Sequence, residues 1–502
     1  MKAVATDFVV IVVFGALLTL SIVEEWWTVV FGIPVLCAFS FLAVRARQDT
    51  LMVAYVFVLT LLACLQVSIL NIGLPGFYAM VGLGRYALMG GLVIWGLAVF
   101  HRNPSALKAF DLGWLVLLSL VAISVIYSVD RSRSIARGVT LAALFLSLFA
   151  LIRTLRAEPR GSIRIVNALL LAAACIFVPG FLLLFVSPDL ALDGSRFTGV
   201  LISPSAVGGV CCMLLPLALW AARHHPDARG RFLCILLSVV LGAALLLSQT
   251  RNAIAAFLIG MVATSVLKKK RALNVVLPVL TLVAMFGVSL AMANMDAIQQ
   301  TEFYANYVDR QGTLVNVTGR LYLWEESLRK IAERPLTGYG FGTGSIVIGM
   351  ADLPKMVRYD SEQLASYSTA LPMLNLNKSE GLNAHNSYLE ICLDLGVLGL
   401  AACMYLLGCV TWEVVRIHRE ILPQSYGMLA PYLGGSFIAG LVNQSCEAAL
   451  FSAGSVLCVA FWFIVAAILC LKNEPASMKR KNSSSGLKAF PGIELRSAQS
   501  RP

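Results

Sequence analysis

The chain has 502 residues, of which 59% are hydrophobic and only 13% charged, with a formal net charge of +12. Soluble domains carry roughly a quarter of their residues as charges, so this composition excludes a water-soluble globular protein and makes a bilayer the surrounding solvent. The basic residues recur at every second polar link (Arg45/Arg47, Arg102/Lys108, Arg153/Arg156/Arg160/Arg164, Arg223/Arg229/Arg231, Lys268 to Arg271, Arg416/Arg419, then Lys472, Lys479, Arg480 and Lys481) and form no single patch. That spread argues against a nucleic-acid surface and predicts that these links and both termini are cytoplasmic.

Apolar stretches of about 15 to 24 residues match the length of a helix that crosses a hydrocarbon core. They predict spans at 8–23, 26–44, 51–70, 78–100, 111–129, 138–152, 165–187, 199–222, 232–248, 253–267, 273–293, 387–410, 427–446 and 450–471. The expected fold is an all-α polytopic membrane protein of about 12–14 transmembrane helices. The first apolar run leads into Glu24-Glu25-Trp26-Trp27 without a small-residue cleavage site, so it reads as a true helix. The chain divides into an N-terminal part of the bundle (1–293), a long outer loop bearing short helices (294–386), a C-terminal part of the bundle (387–471) and a disordered cytoplasmic tail (472–502). All 12 cysteines lie in or beside apolar segments, and Cys211-Cys212 is an adjacent pair. They read as small core residues, with no structural disulfide and no metal site.

Within the long loop, Thr318 is the predicted N-cap of a helix from Gly319 to about Glu333. Leu321, Trp324, Leu328 and Ile331 form its apolar stripe, with Glu325, Glu326, Arg329 and Lys330 off it, and Pro335 and Gly338 end it. Such a helix either lies on the membrane surface or caps the bundle. The glycine-rich turn Tyr339–Gly344 follows. Lacking a strand before it and a helix after it, this turn is no nucleotide-binding signature.

The informative residues are cations on the outer side, against the charge bias: Arg131, Arg133 and Arg137 on the loop after the fifth span, Arg196 before the eighth, and Arg251 between the ninth and tenth. A single interfacial arginine ordinarily snorkels, and Arg196 has a local partner in Asp193. Arg251, however, sits in the very short link Ser248-Gln249-Thr250-Arg251-Asn252, which holds its guanidinium at the membrane surface or in a cavity. Of the five histidines only His385 falls on the outer side, closing the long loop just before a helix. A neutral imidazole accepts a hydroxyl proton near neutral pH. Guanidiniums clamp a diphosphate and stabilise the negative charge that leaves with it. A base and anion clamps on one face suit transfer of a group from a lipid diphosphate to a hydroxyl. A polysaccharide transporter or flippase, the reading from a different class, would place ionisable residues at mid-membrane. Asp394, about two turns into its span, is the best residue for it, with polar contact inside the bundle as the plainer role.

The stretch GRLYLWEESLRKIAERPLTGYGFGTG (319–344), followed by AHNSYLEICLDLGVLGL (384–400), resembles the O-antigen ligase / O-antigen polymerase superfamily. SRFTGVLISPSAVGG and SQTRNAIAAFLIG look like that family's two upstream arginine motifs. The resemblance implies a bacterial inner-membrane glycosyltransferase, inverting and independent of metal or other cofactor. Its donor would be a glycan on undecaprenyl diphosphate, used at the periplasmic face. Lipid A–core would be the acceptor for a ligase, and a second lipid-linked glycan for an O-antigen or exopolysaccharide polymerase. By the same resemblance Arg196 and Arg251 hold the donor diphosphate, His385 is the base, and Arg320 is a further substrate-binding arginine.

Overall fold

The computed structural model describes residues 108–268 apart from 157, 159, 194 and 202, together with 314–348, 383–420, 428–471 and residues 56 and 60. The spans expected at 8–23, 26–44, 78–100 and 273–293, most of 51–70, and the tail 472–502 lie outside the described residues. In chain order the described elements are α1 (Ala109–Tyr127), α2 (Arg131–Leu155), α3 (Gly161–Val186), the single turn α4 (Pro188–Ala191), α5 (Pro204–His224), α6 (Ala228–Leu247), α7 (Arg251–Leu267), α8 (Leu314–Glu333), the single turn α9 (Gly344–Val347), α10 (Ser387–Glu420), α11 (Leu429–Gln444) and α12 (Val456–Leu469). A two-residue antiparallel ladder, β1 (Leu192–Asp193) with β2 (Arg196–Phe197), lies between α4 and α5.

Among the described residues, six helices are long and apolar enough to cross a membrane: α1, α2, α3, α5, α6 and α10. The chain is thus an all-α, multi-pass membrane protein, as its composition requires. Large apolar side chains stand open around the bundle, among them Phe185 (83% exposed), Phe232 (65%) and Trp412 (65%). In water each would forgo roughly 1.5–3 kcal/mol of burial; hydrocarbon removes that loss. By contrast, every residue of α12 is buried, the mark of a helix apolar all round and surrounded by others. Its Trp462 ring lies tilted 4.8 Å from that of Trp114 of α1, which in turn stacks 5.3 Å from Phe145 of α2. Helices α7 and α11 meet backbone to backbone: a Cβ on Gly260 would fall 2.6 Å from the Gly435 carbonyl oxygen. Close approach through small residues is how helices associate when lipid supplies no hydrophobic drive between them.

Several boundaries differ from the sequence expectation. Helix α2 begins at Arg131 and not near 138, because the Asp130 side chain caps it by accepting from the Arg133 N–H (3.0 Å). Arg131, Arg133 and Arg137 therefore stand on a helix and not on a loop. Helix α5 begins at Pro204 under a Ser203 cap, later than 199, and α10 runs on to Glu420, past 410. Helix α12 begins at Val456 and not at 450, under a Ser455 cap. Helix α8 already begins at Leu314, so Thr318 lies inside it and is not its N-cap. The buried face of α8 is Leu323, Glu326 and Ser327, while Leu328, expected in the apolar stripe, is 57% exposed. Glu326 turns inward because Arg329 pairs with it, and the Ser327 hydroxyl donates to the Leu323 carbonyl (2.6 Å). Helix α8 packs on α10, and its Trp324 Nε1 donates to the Ala384 carbonyl (3.0 Å), so it caps the start of that helix.

Candidate active site at the loop end of the bundle

The site is built on a break in a transmembrane helix. Gly396 has φ +65 and ψ −164, values closed to most side chains, and it interrupts α10 two turns from its start. The break releases backbone groups that an unbroken helix would pair internally. The glycine-rich turn takes them up: Tyr339 N–H donates to the Leu393 carbonyl (2.8 Å), Gly340 N–H to the Asp394 carbonyl (2.9 Å), and Val397 N–H to the Pro335 carbonyl (2.8 Å). The Asp394 carboxylate completes the lock, accepting from Gly342 N–H (2.7 Å) and Gly344 N–H (2.8 Å). On the other side Arg133 of α2 donates through Nε to the Gly342 carbonyl (2.9 Å) and through Nη2 to the Ser345 hydroxyl (2.9 Å). The Tyr339 hydroxyl is held by Glu333 (2.8 Å); burial, helped by that carboxylate, pushes its pKa up to about 12. Asp394 thus has the contact within the bundle that the sequence left open, and the glycine amides are occupied by protein.

Arg196 and Arg251 meet at one turn. Arg196, on β2, donates through Nε to the Ser248 carbonyl (3.2 Å) and through Nη2 to the Thr250 hydroxyl (3.4 Å). Gln249 donates to the Ser195 carbonyl (3.2 Å), and the Thr250 hydroxyl donates to the Pro204 carbonyl (3.0 Å). The link Ser248–Thr250 is thereby stitched to the β-ladder and to the start of α5. Arg251, the first residue of α7, is exposed beside it.

His385 stands at the entry to α10. Asn386 caps that helix, its Oδ1 accepting from Tyr388 N–H (3.0 Å) and Leu389 N–H (3.2 Å). Asn383 Oδ1 accepts from the His385 N–H (3.0 Å). The imidazole is 45% exposed, yet its Nδ1 is buried without a hydrogen-bond partner, 3.9 Å from Glu447 Oε2. Among the described residues, the only non-glycine positions with positive φ are Gln249 (+50) and His385 (+46). Such strain, on the order of 1–3 kcal/mol per residue, gathers at functional sites.

Helix α11 ties the two clusters together at one end of the bundle. Asn443 near its C-terminus accepts from Asn252 of α7 (3.1 Å), and Gln444 accepts from the Ser387 hydroxyl (2.7 Å). Ser387 also donates through its N–H (3.1 Å) and its hydroxyl (2.7 Å) to the Glu447 carbonyl. The C-terminal end of α11 thereby fastens both the turn that bears Arg251 and takes the Arg196 bonds and the entry to α10 that follows His385. Arg320 lies on α8, with its side chain outside the described residues. The sequence reading did not single out Glu447, Glu390, Ser387 or Gln444. The one available signal was Glu390, a carboxylate a single turn into an apolar helix.

Residues 236–404 match the family model described as O-antigen ligase. Two curated proteins align with 127 residues of this chain, one of Rickettsia typhi at 28% identity and one of Rickettsia prowazekii at 32%, both provisionally named polysaccharide ligases. Each alignment covers 25% of this chain and 27% of the relative, so the chain spans about a quarter of the curated relatives it matches. The stretch that carries Arg251, Arg320 and His385 is accordingly an O-antigen ligase family domain, in agreement with its motifs.

Proposed function

We propose that the protein transfers a glycan from undecaprenyl diphosphate to a hydroxyl of lipid A–core, at the periplasmic face of the bacterial inner membrane, with both termini cytoplasmic. The reading keeps the bundle divided as 1–293 and 387–471, with 294–386 as the periplasmic loop. The observation that carries it is that one end of α11 holds both the Ser248–Arg251 turn, where the two arginines stand, and the helix entry that follows the strained His385. Arg196 and Arg251 hold the diphosphate, and their charges balance the developing negative charge on the leaving group. Arg320 is a further contact to the donor. His385 takes the proton of the acceptor hydroxyl as the oxygen attacks the anomeric carbon from the face opposite the diphosphate. The carbon–phosphate oxygen bond breaks with inversion, and undecaprenyl diphosphate leaves with the electron pair. The step draws on side chains alone, with no metal or cofactor assigned to it.

Deleting the gene and analysing the surface glycans tests this. Loss of lipid A–linked polymer with intact lipid-linked chains is the expected result. Accumulation of single lipid-linked repeats would replace ligase by polymerase, and lipid-linked glycan confined to the cytoplasmic leaflet would replace the enzyme by a flippase.

A further inference from the structure

A cavity of about 100 Å³ lies next to His385 and is not used by the steps above. Its polar lining includes Arg137 of α2, Ser345 of α9, Asn383, Ser387, Glu390 and Asp394 in the first turns of α10 and just before it, and Ser452 before α12. Phe341 and Phe451 supply apolar wall. Asn383 and Ser387 flank His385 in the chain, so the cavity adjoins the position where a proton would be taken.

The chemistry of the lining selects its occupant. Glu390 is half-buried, and its Oε2 is shut away from solvent with no hydrogen-bond partner. A buried carboxyl oxygen left so is costly, and a hydroxyl, which both donates and accepts, can satisfy it in either protonation state. The neighbouring Asp394 does not compete for it, since both its oxygens already accept glycine amides. Two carboxylates repel an anion, and Arg137 in the same wall disfavours a cation. A neutral group that donates and accepts, a hydroxyl, satisfies the site. A water needs on the order of 10–15 Å³ of such volume, so the cavity holds several hydroxyl-sized groups. Apolar walls of two phenyl rings suit the C–H side of a sugar.

We propose that this cavity is a subsite for one hydroxyl-bearing edge of the acceptor sugar, with Glu390 accepting from a hydroxyl next to the one that reacts. The assignment rests on the transfer reading above and adds the residues that seat the acceptor. Arg137 and Asn383 orient the remaining hydroxyls, while the diphosphate stays at Arg196 and Arg251.

The test uses the full chain in nanodiscs, with lipid A–core and lipid-linked glycan both extracted from the deletion strain. Glu390→Gln keeps the shape but turns one acceptor atom into a donor, and Ser452→Leu fills the cavity. In both variants the KM for lipid A–core should rise about tenfold, the lower end for a hydrogen bond to a charged group. The KM for lipid-linked glycan should not change. Binding of lipid A–core to His385→Ala protein, with and without Glu390→Gln, is read in parallel and should weaken by the same factor. An unchanged KM and unchanged binding in both variants overturn the subsite, as does lower thermal stability alone, which would mean structural water. A rise in the KM for lipid-linked glycan instead overturns the assignment to the acceptor. Glu390-dependent binding in a protein that performs no transfer sinks the transfer reading and leaves the subsite standing.

Discussion

Replacing Asp394 should unfasten the glycine-rich turn from the broken helix. Its two bonds, 2.7 Å to Gly342 N–H and 2.8 Å to Gly344 N–H, join a carboxylate to backbone donors at a residue that is only 3% exposed. Hydrogen bonds to charged groups contribute about 1.5–3 kcal/mol each. Asp394→Asn keeps one acceptor oxygen and presents an amide N–H₂ to the other glycine, so one bond is lost and two donors face each other. The local opening of the turn should become easier by about 1.5–3 kcal/mol, which is about ten- to a hundredfold. Hydrogen exchange by mass spectrometry on the protein in nanodiscs reads this directly at 338–345. Arg416→Ala near the far end of α10 is the control, because Arg416 is 41% exposed, its partner Glu413 lies on the same helix and surface pairs contribute little. Unchanged exchange at Gly342 and Gly344 in Asp394→Asn would refute the idea that this carboxylate holds the turn.

Other substitutions probe the proposed transfer. Glu447 Oε2 lies 3.9 Å from the buried Nδ1 of His385, near enough to accept a hydrogen bond from Nδ1–H after a small side-chain shift and so keep Nε2 free as the base. Glu447→Leu should lower transfer on the order of 10²-fold and Glu447→Gln less, with ¹⁵N-histidine shifts reporting loss of the Nδ1–H tautomer; equal tautomers in wild type and Leu variant would remove Glu447 from the mechanism. Arg251→Lys should fold normally yet lose about ten- to a hundredfold in rate at saturating acceptor, since an ammonium cannot make the paired bonds of a guanidinium; wild-type rates at low donor concentration would make Arg251 an anchor. Gly396→Ala places a Cβ 2.3 Å from the Leu336 carbonyl carbon at φ +65. It should therefore yield little monodisperse protein on size exclusion, and a normal yield and Tm would show that the break tolerates a side chain.

The membrane fold was legible because the bilayer imposes a length and a composition that survive in any window of apolar residues. Within the described residues the spans were misplaced where polar capping residues precede the apolar run. Asp130 starts α2 through a side-chain bond, and an average over apolar residues cannot register one carboxylate. Helix α8 shows the opposite error. Its apolar periodicity put Leu328 inward, but the face that packs is chosen by the Glu326–Arg329 pair and by Trp324 reaching the Ala384 carbonyl.

The site divides along the same physical line. Arg196, Arg251 and His385 could be singled out because a cation or an imidazole next to a membrane span stands against its background. Their partners could not, because Glu447, Gln444 and Ser387 acquire meaning only when α11 brings its end against α10. The motifs themselves prove to be partly mechanical. The segment from Pro335 to Gly344 and the segment from Leu393 to Val397 are the two sides of one exchange of backbone bonds around Gly396. Their glycines follow from the positive φ and the close approach of that junction, so they specify where the loop docks. Docking in turn fixes Arg133 and Arg137 of α2 beside the first turns of α10, the helix that follows His385 and Asn386 and carries Glu390. Loop attachment and the proposed proton transfer therefore share one short segment of chain. A substitution at Asp394 should accordingly reduce transfer by loosening that segment, without itself touching a substrate.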